Sequence, residues 1–293
     1  MTADQLLTIL FNAGVAAAVW ATVLSLGMAF TPRDLAAPLR RIWLVAGLVV
    51  VNVVLIPGAA WLIATASPMN EAYVTGMVLT VIGSGSAASL KAAQLARSAD
   101  LALALAVVVV LELVNIVAVP VWAGIVAGAS ISGLEIVRSL IGLVLLPLLV
   151  GLVVRSRWPV RASAWSAVLP RVATATLLLA LACGIAVHAQ VILSMAGSWV
   201  LVTAVVIVLV ALGLGAAAGV LFGRGSADVQ TATLVSGFRF GALGLVIVGT
   251  QLGGTPEALG PAITFALVTL AIPLVLALGI GWSTVRSQSA QAA

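Results

Sequence analysis

The chain has 293 residues, of which 63% are hydrophobic and only 7% charged, with a formal net charge of +5. Soluble domains carry about 25% charged residues, so no water-soluble fold could bury this surface, and the chain reads as an integral membrane protein. A single cysteine, Cys183, and a single histidine, His188, exclude an internal disulfide, a cysteine cluster and a histidine metal site.

Apolar runs bounded by charges, Pro and Gly predict nine helical spans. The first covers 5–30; it is too long for a signal-peptide core and has no basic flank before it. The second covers 41–66 and the third 72–97, interrupted by Gly83, Ser84, Gly85, Ser86 and Ser89. The fourth, fifth and sixth cover 101–127, 133–154 and 164–189, and the seventh covers 195–222. The eighth, 228–252, is interrupted by Thr231, Thr233, Ser236, Gly237, Gly241 and Gly244; the ninth covers 259–283. Each meets the roughly 20 residues that a bilayer requires. No loop is long enough for a soluble domain, so 1–293 reads as one transmembrane unit.

Cations sort to one side of this arrangement. Arg33, Arg40 and Arg41 follow the first span, and Arg97 ends the third. Arg155, Arg157 and Arg161 follow the fifth, Arg224 the seventh and Arg286 the ninth. The opposite loops hold Asp4, Glu71, Glu135 and Glu257, with Arg138 nearby. By the positive-inside rule the N-terminus lies outside and the C-terminus in the cytoplasm, in an inner or plasma membrane. Such a distribution suits topology, not nucleic-acid binding. Trp43, Trp61, Trp122, Trp158, Trp165, Trp199 and Trp282 fall near span ends, as an interfacial belt requires.

The two interrupted spans are five apart, an odd offset, so they run in opposite directions. An inverted repeat follows, spans one to four matching six to nine. Small residues also serve close helix packing. Paired interruptions in corresponding halves, however, are the sequence pointer to a secondary transporter's binding site.

Charges inside spans are costly and functional by default. Lys91, Glu112, Arg171 and Arg239 are such charges. At 1.5 Å per residue, Lys91 and Glu112 stand about 13 and 18 Å from Asp100, and Arg239 about 16 Å from Asp228. Lys91 and Glu112 are the expected ion pair. A purely structural pair is the plainer alternative. Arg171 follows Pro170 and reads as snorkelling to the interface. Lys91, Arg239 and Glu112 sum to plus one, and half-helix N-termini would add positive potential, so the expected ligand is an anion. No nucleophile–base constellation, metal set or phosphate loop occurs, so no enzyme and no cofactor is expected.

Three stretches resemble one family. FTPRDLAAPLRRIWLVAGLVVVNVVLIPGAAWLIA, GSGSAASLKAAQLARSADLALALAVVV and SGFRFGALGL are similar to the second and third helices and the two crossovers of the bile acid:sodium symporter family. One helix of that family's usual ten is missing. The resemblance implies a core domain (41–127, 195–283) moving against a panel (5–30, 133–154, 164–189) by alternating access, with organic anions between them: bile acid-like, steroid-conjugate or carboxylate. It also implies sodium sites, which this chain alters. Of the family's Ser–Asn pair Ser89 remains, but Leu90 stands at the Asn position, with Lys91 next. Glu112 replaces a Thr. Val235 stands at a Glu position, and Arg239 and Phe240 at Gln and Asn positions. Asn52, five before Pro57, stands where the family has Gln. Lys91 with Glu112, and Arg239 near Asn52, are therefore expected to replace bound sodium, leaving transport facilitated or proton-coupled. The candidate substrate or ion residues are Asn52, Ser86, Ser89, Lys91, Glu112, Asn115, Thr233, Ser236 and Arg239. An ordinary sodium symporter and a non-transporting receptor or scaffold are the alternatives; vesicle flux separates the latter. A pigment with a Lys91 Schiff base has too few aromatics (5%) to line it. Partners are the bilayer and the anion. Oligomeric state is open.

Overall fold

The computed structural model describes residues 3–29, 41–128, 133–187, 189–190 and 198–292. Arg33, Arg40 and His188 lie outside them, as do the side chains of Asp4 and Arg286. The described residues are helical with short connections and no strand.

Eleven helical segments follow in order: α1 (Ala3–Ala29), α2 (Ile42–Ala66), α3 (Glu71–Val81), α4 (Ala88–Ala96), α5 (Leu101–Ala127), α6 (Leu134–Arg157), α7 (Pro159–Val187), α8 (Val200–Phe222), α9 (Ser226–Gly237), α10 (Gly241–Gln251) and α11 (Pro256–Ala292). Eight stretches are long and apolar enough to span a bilayer, with α9 and α10 counted as one. The shorter apolar α3 leads through a break into α4, and together they occupy the third predicted span. Span ends differ from the sequence reading by a few residues. α7 begins at Pro159 because proline is favoured in a first helical turn, and α11 runs on past 283.

Both interruptions are real breaks. Ile82–Ala87 and Phe238–Phe240 are non-helical, and they meet: the Phe240 amide donates to the Gly83 carbonyl at 3.0 Å. At Gly244 a Cβ would collide with the Thr80 backbone. Glycine there lets α10 lie directly on α3.

α1 packs on α7 and on the second half of α6. The broken pairs pack with α2, α5, α8 and α11. The two groups join through α1 on α10, α5 on the first half of α6, and α7 on α11. Their joint includes Phe11, Val15 and Cys183 against Leu243, Ile247 and Ile263. A second apolar cluster, including Leu48, Met77, Val107, Ile207 and Phe265, fills the larger group. Val117, Val121, Leu221 and Val275 stay exposed, as lipid-facing residues do.

One end of the larger group is tied by charge. Arg41 Nη1 bonds Asp228 Oδ1 at 2.6 Å and Asp100 Oδ2 at 3.2 Å. Asp100 also caps α5, accepting from the Leu103 amide at 3.0 Å, and its own amide donates to Thr231 Oγ1 at 2.8 Å. Asp228 Oδ2 accepts from the Arg224 amide at 2.9 Å. The starts of α2, α5 and α9 are thus pinned together.

Candidate functional site

The second crossing is built around a cation. Arg239 is 1% exposed. Its Nε donates to the Val81 carbonyl at 2.8 Å, and its Nη1 donates to Asn52 Oδ1 at 2.9 Å. Its Nη2 donates to the carbonyls of Asn52 at 3.0 Å and Ile82 at 3.4 Å. Its amide donates to Thr269 Oγ1 at 3.0 Å, and that hydroxyl donates to the Gly237 carbonyl at 2.9 Å. No carboxylate takes part. Val81 and Ile82 end α3, so the guanidinium lies where unpaired carbonyls and the negative helix end favour a positive charge.

Why Asn52 has a carbonyl to offer follows from Pro57. Val51–Leu55 form a π-turn in which the Ile56 amide bonds Val51. The next bond in that register would come from residue 57, and proline has no N–H. The Asn52 carbonyl is freed for Arg239. The Val53 carbonyl, four residues before the same proline, accepts from Trp122 Nε1 at 2.6 Å. Asn52 Nδ2 donates to Ser236 Oγ at 2.9 Å and to the Leu48 carbonyl at 2.9 Å, which fixes the amide so that its oxygen faces the guanidinium.

The first crossing carries no cation. Ser84 Oγ donates to Asn115 Oδ1 at 2.9 Å, and Asn115 Nδ2 donates back to the Ser84 carbonyl at 2.8 Å. This reciprocal pair ties the break to α5. Gly85 has φ +79° and lies against α5, where a Cβ would stand 3.0 Å from the Val108 carbonyl and 3.3 Å from Glu112 Cγ. A side chain is disfavoured there on both counts. Glu112 is fully buried, and neither of its carboxyl oxygens has a hydrogen-bond partner.

The expected Lys91–Glu112 pair is not formed. Lys91 is on the exposed face of α4, and its Nζ donates to Gln94 Oε1 at 3.4 Å. Ser89, Ala92, Ala93 and Ala96 make the buried face instead. Equal depth says nothing about direction around a helix, and one hundred degrees per residue carries Lys91 away from the Ser89 face. Ser89 Oγ donates to the Ser86 carbonyl at 2.7 Å, and Ser86 Oγ accepts from the Ala88 amide at 3.3 Å; both serines close the start of α4. Thr233 is turned back onto its own helix, bonding the Val229 carbonyl at 2.7 Å.

Thus the structure brings Asn52, Ser236 and Arg239 together, and Asn115 to the first break beside Glu112. Lys91 and Thr233 join neither set. Arg171 is exposed on α7. Three participants lacked a sequence signal of their own: Thr269 and the carbonyls of Val81 and Ile82. The position of Pro57 was the available clue to the Asn52 carbonyl.

The second crossing leaves little for a metal ion, because Arg239 already engages its inward oxygens. The first offers a buried carboxyl, Glu112, without a hydrogen-bond partner. A family model described as "Sodium Bile acid symporter family" matches residues 16–198, well over half of the chain. No curated protein matches the chain.

Proposed function

The chain belongs to the Sodium Bile acid symporter family, and from that premise we propose that it is a secondary transporter of organic anions that works without sodium at its second crossing. The observation that carries this is the Arg239 guanidinium, held by two carbonyls ending α3 and by both oxygens of Asn52. A permanently charged side chain supplies there what a bound cation would supply, and it cannot dissociate. In this reading α1, α6 and α7 are the panel and the remaining helices the core. The substrate lies between the two, with the N-terminus outside and the C-terminus in the cytoplasm.

The exposed Lys91 then faces the water-filled space between core and panel, since an ammonium held against the hydrocarbon core of a bilayer costs roughly 2.5–3.5 kcal/mol at its centre. It is the charge that attracts a bile acid-like, steroid-conjugate or carboxylate anion. Because Lys91 and Arg239 are both fixed cations, substrate entry requires no prior ion binding at the second crossing.

The test is uptake of labelled bile acid, steroid sulfate and aromatic carboxylate into proteoliposomes, with sodium or potassium as the only cation. Equal saturable uptake in both salts, lost in Lys91→Ala, is expected. Strict sodium dependence of the wild type would overturn the sodium-free reading. Absence of flux for every anion would favour a receptor or scaffold.

A second reading has its own observation. Glu112, with both oxygens unpartnered, could hold one cation at the first crossing, sodium or a proton. Coupling would then run through a single site, and Glu112→Gln would keep exchange of substrate while removing accumulation against a gradient.

A further inference from the structure

The geometry points to a binding site for the headgroup of an anionic phospholipid on the unit formed by α1, α6 and α7. The inference rests on the proposed membrane orientation. A cavity of about 280 Å³ is lined by Met28, Val154, Trp158, Arg161 and Trp165. All five belong to α1, α6, α7 or the residue joining the last two. None belongs to the helices across the proposed transport pathway, so the two sides of that pathway do not meet in this cavity.

Its chemistry is one cation in apolar walls. Arg161 is exposed and takes no part in the ion pairs that Arg41 makes with Asp100 and Asp228. Arg155 and Arg157 stand within the same seven residues; Arg155 Nη1 donates to the Pro159 carbonyl at 3.3 Å, and Arg157 is exposed. A guanidinium binds phosphate oxygens through two parallel hydrogen bonds. Met28 and Val154 offer a surface for glycerol and the first methylenes. Trp158 and Trp165, 50% and 59% exposed, carry indoles that belong at the headgroup level. A soluble anion would use only the arginine. An inner-leaflet lipid uses every wall, and basic pockets between helices on the cytoplasmic side are where anionic headgroups bind. A lipid held here fixes the depth of this unit in the bilayer.

The experiment is native mass spectrometry of the full chain, delipidated in detergent, with added phosphatidylglycerol or phosphatidylcholine of identical acyl chains. The first lipid bound should prefer phosphatidylglycerol by about fivefold or more. Arg161→Gln should remove that preference without changing the melting temperature of the lipid-free protein, and Arg161→Lys should keep most of it. Arg157→Gln, in the same segment but outside the cavity, should leave it intact. Val154→Trp, which fills the cavity with every arginine present, should abolish it, so the site remains testable if Arg161→Gln does not fold. Three results would each overturn the proposal: equal affinity for the two lipids, equal loss in Arg157→Gln and Arg161→Gln, or equally strong competition by free glycerol 3-phosphate. The last would mark a soluble-anion site. None of these readouts requires transport, so failure here leaves the transporter reading standing, and failure of transport leaves this one standing.

Discussion

The two crossings meet the same problem in opposite ways. Each must hold broken backbone inside apolar surroundings, where unpaired carbonyls and amides are costly. The second recruits a full positive charge, Arg239, and surrounds it with neutral oxygens. The first ties its break with a neutral pair, Ser84 and Asn115, and leaves a carboxyl, Glu112, beside it without a partner. One crossing is therefore closed with respect to charge and the other is open. Coupling to an external ion, if it occurs, belongs to the open one.

The largest expected effect breaks the closed crossing. Arg239→Met should remove bonds to three carbonyls and an amide oxygen, all buried. Hydrogen bonds to charged groups contribute about 1.5–3 kcal/mol each, and not additively. A loss of about 3–5 kcal/mol is expected, comparable to removing one member of a buried pair, and read as a fall in melting temperature. Arg239→Lys keeps the charge but not the fork, so it should fall between the two. If Arg239→Met melts like the wild type, the guanidinium does not organise the crossing. A sodium-dependent rise in melting temperature in Arg239→Ala, absent from the wild type, would sharpen the contrast by showing that an ion can take the arginine's place.

Next comes the neutral lock. Ser84→Ala or Asn115→Ala should each cost about 1–3 kcal/mol, since each leaves a buried partner unsatisfied. The double mutant should be much less destabilised than the sum, with a coupling of about 1 kcal/mol or more in the cycle. Additive losses would mean that the two side chains act separately.

These features were unevenly visible in the amino-acid letters. Gly83 to Ser89 and Thr231 to Gly244 announced the breaks because small and polar residues interrupt hydrocarbon there. Arg239 beside Asn52 came from the family resemblance, in which both stand at sodium-site positions. The carbonyls of Val81 and Ile82 did not, because an acceptor on an apolar residue's backbone has no letter of its own. Pairing Lys91 with Glu112 failed for a related reason. Span depth can be counted along the chain, but the face a residue presents depends on which helices pack against it, and α4 turns its alanines and Ser89 inward.

A smaller effect, of opposite sign, tests the open crossing. Glu112→Gln removes an ionisable carboxyl but takes nothing from a bonded network, since its oxygens have no partner. The expected change is from about zero to 1 kcal/mol of stabilisation, because an ionisable group buried without a partner is unfavourable and its replacement breaks no hydrogen bond. Arg239→Met and Glu112→Gln should therefore shift the melting temperature in opposite directions. A drop of several kcal/mol in Glu112→Gln would mean that the carboxylate is satisfied by a bound cation in the folded protein, and the first crossing would be an ion site after all.

The smallest stability effect separates fold from function. Lys91 is exposed, and its side chain reaches only Gln94, at 3.4 Å. Lys91→Ala should change stability by no more than about 0.5 kcal/mol, as surface substitutions do. Binding of an organic anion should nevertheless weaken, because the ammonium is an exposed cation next to the first break, whereas Arg239 is enclosed. Ligand-stabilised melting measures both quantities in one series: the melting temperature without ligand reports the fold, and its rise with anion reports binding by mass action. An unchanged baseline with a lost rise would assign substrate attraction to Lys91. A lowered baseline would instead make Lys91 part of the scaffold, and an undiminished rise would move the anion's counter-charge elsewhere, with Arg171 on α7 as the next residue to change.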